Sequence, residues 1–184
     1  RLGIDGLEIS AESVQRCQLS CTRAIVSAPR DGTDHRAWSF VDTLIADADL
    51  PHAITTGARA TFRRLAEVEA GIHSTSIDQV HFHEVGAHDA IVDIVGAWIG
   101  WHLLGAPTVS VGTFGLGHGT VQAAHGQLPL PAPAVAELLA GWPVRALDVE
   151  METVTPTGAA LLTTMATSSD PAPPAGSIVS AGRG

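Results

Sequence analysis

Lysine and tyrosine are absent from this chain of 184 residues, and all ten basic residues are arginine. The missing lysine excludes a complete Walker A loop, whose lysine reaches nucleotide phosphates, and any Schiff-base chemistry on a lysine of this chain. There is no arginine-rich run, and the formal net charge is -9. No nucleic-acid partner is expected, because phosphate neutralisation supplies most of that affinity. A cationic partner such as a metal ion suits the balance better, although acidity is also ordinary for a cytoplasmic protein. Neither a secretory signal nor an apolar run long enough to span a bilayer occurs; the most apolar segment is interrupted by Gly96, Gly100 and His102. The expectation is a cytoplasmic chain without a membrane partner.

Cysteine is scarce too. Cys17 and Cys21 are neither a CxxC nor a zinc-ribbon pair. They fall in "QRCQLSCTRAIV", read as one strand, where their parity puts them on one face and too far apart for a direct disulfide; structural thiols are expected. The chain opens on Arg1 and stops at "SAGRG", which reads as a cut through a longer protein.

What is present favours a folded globule: 45% of residues are hydrophobic, enough for one domain with a substantial core or two small ones. "LGIDGLEIS" and "VQRCQLSCTRAIVSAP" read as short strands. Trp38, Val41, Leu44 and Ile45 form a helical stripe, and a second helix is expected from about Pro51 to near Gly71. "IDQVHFHEVG" reads as a strand, and "HDAIVDIVGAWIGWHLLG" as a central helix, apolar nearly all round, that stops at Gly105. "PTVSVGTFGLGHGTV" reads as a strand entering a glycine-rich turn, "GQLPLPAPAVAELLAG" as a proline-led helix, and "VRALDVE" as a strand. "TVTPTGAALLTTMA" opens a last helix, and a short strand closes the chain. This alternation without an internal repeat predicts an α/β, mixed α+β, single domain with a mixed sheet and a buried central helix.

Several constellations could carry chemistry. In "HFHE", residues two apart on a strand share a face, so His81 and His83 can present their imidazoles together to a metal. Nickel, zinc, copper and iron all accept that pair, and two hydrogen-bonded surface histidines are the plainer reading. Glu84, beside a strand end, could ligate a metal, act as a base, or simply be solvated. Asp89 is explained by the helix N-terminus alone. Asp93 lies one turn on, in a row continued by Gly96 and Gly100 that would let a ligand or another backbone approach. His102, on the opposite side, reads as a packed core histidine. "GLGHGTVQAAHG" places His118 and His125 beside flexible backbone, a weak signal alone. "TPTG", with Thr155, Thr157 and Gly158, either caps a helix or offers N–H groups to a phosphate or carboxylate.

Taken together, "VHFHEVGAHDAIVDIVGA", "AHGQLPLPAPAVAELL" and "TVTPTGAALL" resemble the nickel insertion protein LarC family, over roughly residues 72 to 162 and more faintly before that. The resemblance implies a nickel chelatase, a lyase-type cyclometallating enzyme. Such an enzyme inserts Ni2+ into pyridinium-3,5-bisthiocarboxylic acid mononucleotide, forming one nickel–carbon and two nickel–sulfur bonds in the nickel-pincer nucleotide cofactor, with CTP hydrolysed alongside a divalent metal. On the matching positions it implies His81, His83, Glu84, Asp89 and His125 as metal ligands, Glu84 and Asp93 as catalytic groups, and Thr155, Thr157 and Gly158 as binders of the nucleotide. Glu152 also matches. His88 stands where the family commonly has an apolar residue and is not carried over; Cys17 and Cys21 fall where small residues are expected.

The family's glycine-rich opening segment and its C-terminal, CTP-associated domain have no counterpart here. Residues 1–184 therefore resemble an N-terminal domain, with the C-terminal domain of the same protein, a pincer-dependent apoenzyme and a second copy as possible partners. On that resemblance this stretch is not expected to complete the reaction alone. Two alternatives stand beside insertion: a non-catalytic nickel-binding or delivery module, and a zinc or iron HxH metallohydrolase.

Overall fold

The computed structural model describes residues 2–27, 36–82, 88–123, 126–170, 175–177 and 179–183. The chain begins with a hairpin of β1 (Glu8–Arg16) and β2 (Leu19–Ser27), paired antiparallel from Glu8↔Ser27 to Arg16↔Leu19. Its turn is Cys17–Gln18, both at positive φ (48° and 67°). The sequence reading, which ran a single strand through Cys17 and Cys21, is corrected here: Cys17 sits in the turn and only Cys21 is in a strand. The miss has a physical cause, since a turn with both central residues left-handed normally advertises itself with Asn, Asp or Gly.

The body is helical. α1 (Trp38–Ala46) buries Val41 and Ile45, as its stripe predicts. α2 (His52–Ile72) starts after Pro51 and ends at His73, where Ser74 turns to positive φ. It buries Ile54, Ala58, Phe62, Leu65 and Ala66 and packs against α1 and three further helices: α3 (His88–Leu103), α4 (Pro133–Leu138) and α5 (Pro156–Met165). An Asp42 carboxylate takes two hydrogen bonds from the Arg59 guanidinium, at 2.7 and 2.9 Å, tying α1 to α2. Among the described residues no helix is long and apolar enough to cross a membrane.

The α2–α3 contact depends on Gly57. A Cβ there would lie 2.5 Å from the Trp98 ring, so only glycine lets α3 seat its indole against α2. The indole N–H donates to Thr61 Oγ1 at 3.0 Å, and the Thr61 hydroxyl donates onward to the Gly57 carbonyl at 3.0 Å. Thr61 is fully buried. Thr61→Val keeps the shape but orphans the indole donor; unfolding in urea should show a loss of about 1–3 kcal/mol, the usual penalty for an unsatisfied buried group.

The strands pair two by two. β3 (Arg36–Ala37) runs antiparallel to β4 (His81–Phe82). β5 (Ser110–Val111) and β6 (Phe114–Leu116) run parallel to β10 (Ser168–Ser169) and β9 (Val144–Ala146) respectively. β7 (Thr120–Ala123) and β8 (Gly126–Pro129) form an antiparallel pair. The result is a mixed α+β single domain whose small sheets, parallel and antiparallel, surround a helical core. The segment read as one strand, "IDQVHFHEVG", opens instead with a 3-10 turn (Ile77–Gln79) before the two residues of β4.

Candidate functional site

Phe82 fixes the direction of its neighbour. Its ring is buried against Phe62 at 6.0 Å between centroids, so the strand alternation turns His81 outward, where it is exposed. His83, Glu84 and His125 lie outside the described residues. Among the described residues no three His, Cys, Asp or Glu side chains stand close enough to hold a metal ion.

Asp89 and Asp93 share the exposed side of α3. The Asp89 carboxylate accepts the Ala90 N–H at 2.8 Å. Beyond Asp93 the row continues through Gly96 and Gly100, above which no described atom comes within 4 Å of an added Cβ. Among the described residues, nothing blocks the approach that the small residues would permit. His102, expected in the core, is exposed, because α3 buries only the side carrying Ile91, Ile94, Val95 and Trp98.

Although much of Asp93 meets solvent, partial desolvation raises its pKa above the ordinary 3.8, with the Asp89 charge adding to the shift. The native state therefore holds this proton more tightly than the unfolded chain does. Stability falls as pH rises through the interval between the ordinary and the raised value, and the penalty is fully present above it. Asp93→Asn should consequently raise the thermal midpoint at pH 7, with the gain shrinking as pH falls toward 3.8. A thermal-melt series over pH checks the sign.

His88 has a structural employment. Arg36 Nη2 lies 2.9 Å from His88 Nε2, and since a guanidinium can only donate, Nε2 is the acceptor. Arg36 is buried, with its guanidinium over the Phe40 ring at 5.7 Å.

Away from these residues, a groove of about 420 Å³ lies where the end of α2, the β7–β8 hairpin and the starts of α4 and α5 meet. Ile72, Val121, Leu128, Ala132 and Pro133 are among its apolar walls. Its described polar groups are Gln122 from β7, Glu69 from α2, His73 at the C-terminal cap of α2, and Glu152, Thr155 and Thr157 at the entry to α5. This is the ordinary make-up of a small-molecule site, an apolar cleft with a few convergent polar groups. Thr155 Oγ1 accepts the Gly158 N–H at 3.2 Å, so it caps α5. With Gly158 thus engaged and Pro156 lacking a donor, the Thr157 N–H and hydroxyl are what this turn offers to an anion.

The structure brings Thr155 and Thr157 together in the groove, whereas His81, Asp89 and Asp93 are not among its described lining residues. The sequence reading missed Glu69 and His73. His73 Nε2 lies 3.4 Å from Glu69 Oε2, one helical turn back. Only the i,i+4 Glu–His spacing at the end of α2 signals the pair, and that pattern is common as a helix-terminal ion pair.

The family model described as nickel insertion protein matches residues 1–184. This chain belongs to the nickel insertion protein family. A relative from Nocardioides sp., named pyridinium-3,5-bisthiocarboxylic acid mononucleotide nickel insertion protein, is 51% identical over 165 residues, covering 90% of this chain and 42% of the relative. One from Desulfitobacterium hafniense with the same name is 46% identical, covering 88% of this chain and 40% of its own length. A putative nickel insertion protein from Thermomicrobium roseum is 47% identical, covering 90% and 41%. The chain thus spans about two-fifths of the nickel insertion proteins it matches. No solved structure matches it.

Proposed function

We propose that this chain is the part of a nickel chelatase that receives both substrates, Ni2+ and pyridinium-3,5-bisthiocarboxylic acid mononucleotide, with the groove beneath α5 as the nucleotide site. The observation that carries this reading is the junction of apolar walls with the Thr155–Thr157 turn in one cleft. The walls suit the pyridinium ring, and the Thr157 N–H and hydroxyl suit the phosphate. Carboxylates in the groove oppose an anionic nucleotide, and the two charges brought by nickel offset its thiocarboxylates. His81, His83, Glu84, Asp89 and His125 supply the nickel, and Glu84 and Asp93 assist its transfer.

CTP, with its divalent metal, fits this chain poorly: there is no lysine, and the described groove lining has no arginine. Its hydrolysis is assigned to a C-terminal domain beyond these residues. The product would pass to a pincer-dependent apoenzyme.

Ala134 lines the groove, and Ala134→Trp tests the placement by filling it. Calorimetric titration of the full-length protein with the mononucleotide and nickel should show at least about tenfold weaker binding, some 1.4 kcal/mol, at an unchanged thermal midpoint. Equal binding by this variant would remove the groove from the reading.

A further inference from the structure

Inserting nickel between two thiocarboxylates on ring positions 3 and 5 brings the metal against the carbon between them, which carries a hydrogen. For a nickel–carbon bond to form there, the C–H bond must break. Its electron pair goes to nickel, which stays divalent, and a proton leaves. Some group in the nucleotide site has to take that proton, and positioned side chains accelerate such transfers by about 10²–10⁴-fold.

Among the described residues lining the groove, His73 is the one imidazole. The backbone makes its position precise: the His73 N–H donates to the Glu69 carbonyl at 2.9 Å, closing the last turn of α2, while its Nε2 faces the Glu69 carboxylate at 3.4 Å. A carboxylate beside one ring nitrogen orients an imidazole and stabilises the imidazolium that forms when the other nitrogen accepts a proton. Asp93 is not among the described groove residues. Glu152, just before the entry to α5, stands next to the turn assigned to the phosphate.

We propose that His73, oriented by Glu69, accepts the proton released from the pyridinium ring when nickel bonds to its carbon. This rests on the groove being the nucleotide site. The proton moves from the ring carbon to the His73 imidazole and from there to solvent, to which the side chain is 41% exposed. Glu69 is a positioning residue.

The test uses the full-length protein with mononucleotide and nickel, reading both binding and the rate of appearance of nickel-bearing product. His73→Ala should bind the mononucleotide within about twofold of wild type while losing about 100-fold or more in insertion rate, the low end of general-base contributions. Added imidazole should restore part of that rate. His73→Gln, which retains side-chain hydrogen-bonding capacity, should fold, bind and fail in the same way. Glu69→Gln should lose less than His73→Ala. The proposal is overturned if His73→Ala inserts nickel within threefold of wild type, or if both His73 variants lose binding and imidazole restores nothing. If instead Ala134→Trp binds the mononucleotide as well as wild type does, the groove assignment is what fails.

Discussion

Gly117→Ala should destabilise the domain by about 3 kcal/mol or more, at the severe end for a one-carbon insertion. A Cβ on Gly117 would lie 2.9 Å from the Val149 carbonyl oxygen and closer still to that of Met151. Both are backbone atoms and cannot rotate away as a side chain would. The neighbouring hydrogen bonds leave little slack. Gly117 N–H donates to Thr153 Oγ1 at 2.9 Å, the Thr153 hydroxyl donates to the Gly115 carbonyl at 2.7 Å, and His118 N–H donates to the Val149 carbonyl at 2.9 Å. Pushing residues 149–153 outward also displaces Glu152 and the approach to Thr155 at the groove. Urea unfolding should show the lost stability, and titration below the transition should show weakened mononucleotide binding in whatever fraction stays folded. Wild-type stability in this variant would mean that the packing of β6 on residues 149–153 is misplaced.

Replacing His81 and His83 together by alanine should lower nickel affinity by at least about 100-fold, since changes merely around a metal site cost 10–100-fold. The domain should otherwise remain intact, because His81 is exposed while its neighbour Phe82 supplies the burial that fixes β4. Nickel content after equilibrium dialysis, read beside the thermal midpoint, separates the two effects. Unchanged nickel occupancy would remove both histidines from the ligand set.

Much of this molecule was legible because periodicity reports burial. The stripe through Val41 and Ile45, the start of α2 after Pro51 and the proline-led α4 all follow from residues whose side chains must leave water. The direction of His81 was legible for the same reason, as the consequence of an apolar Phe82. Tertiary features were harder. Cys17 and Gln18 adopt left-handed conformations in a turn with none of the usual residues, and His102 sits near the exposed end of a helix whose apolar composition suggested burial all round. The Glu69–His73 pair was hidden because only the fold brings it to β7, β8 and α5, segments at least 45 residues on in sequence. The family motifs single out polar residues as candidates; only the fold shows that Thr155 and Thr157 share a cleft with α2.

The central claim is that nickel enters the mononucleotide on this domain, in the groove beneath α5. The direct measurement is mass spectrometry of the nucleotide after incubating the full-length protein with nickel, CTP and the precursor, for wild type and Ala134→Trp side by side. Wild type should yield a product heavier by one nickel and lighter by the displaced protons, and the groove-filled variant, at equal thermal stability, should yield at least about tenfold less, the factor that 1.4 kcal/mol represents. Equal yields from the two proteins, or no nickel-bearing product from wild type, would contradict it.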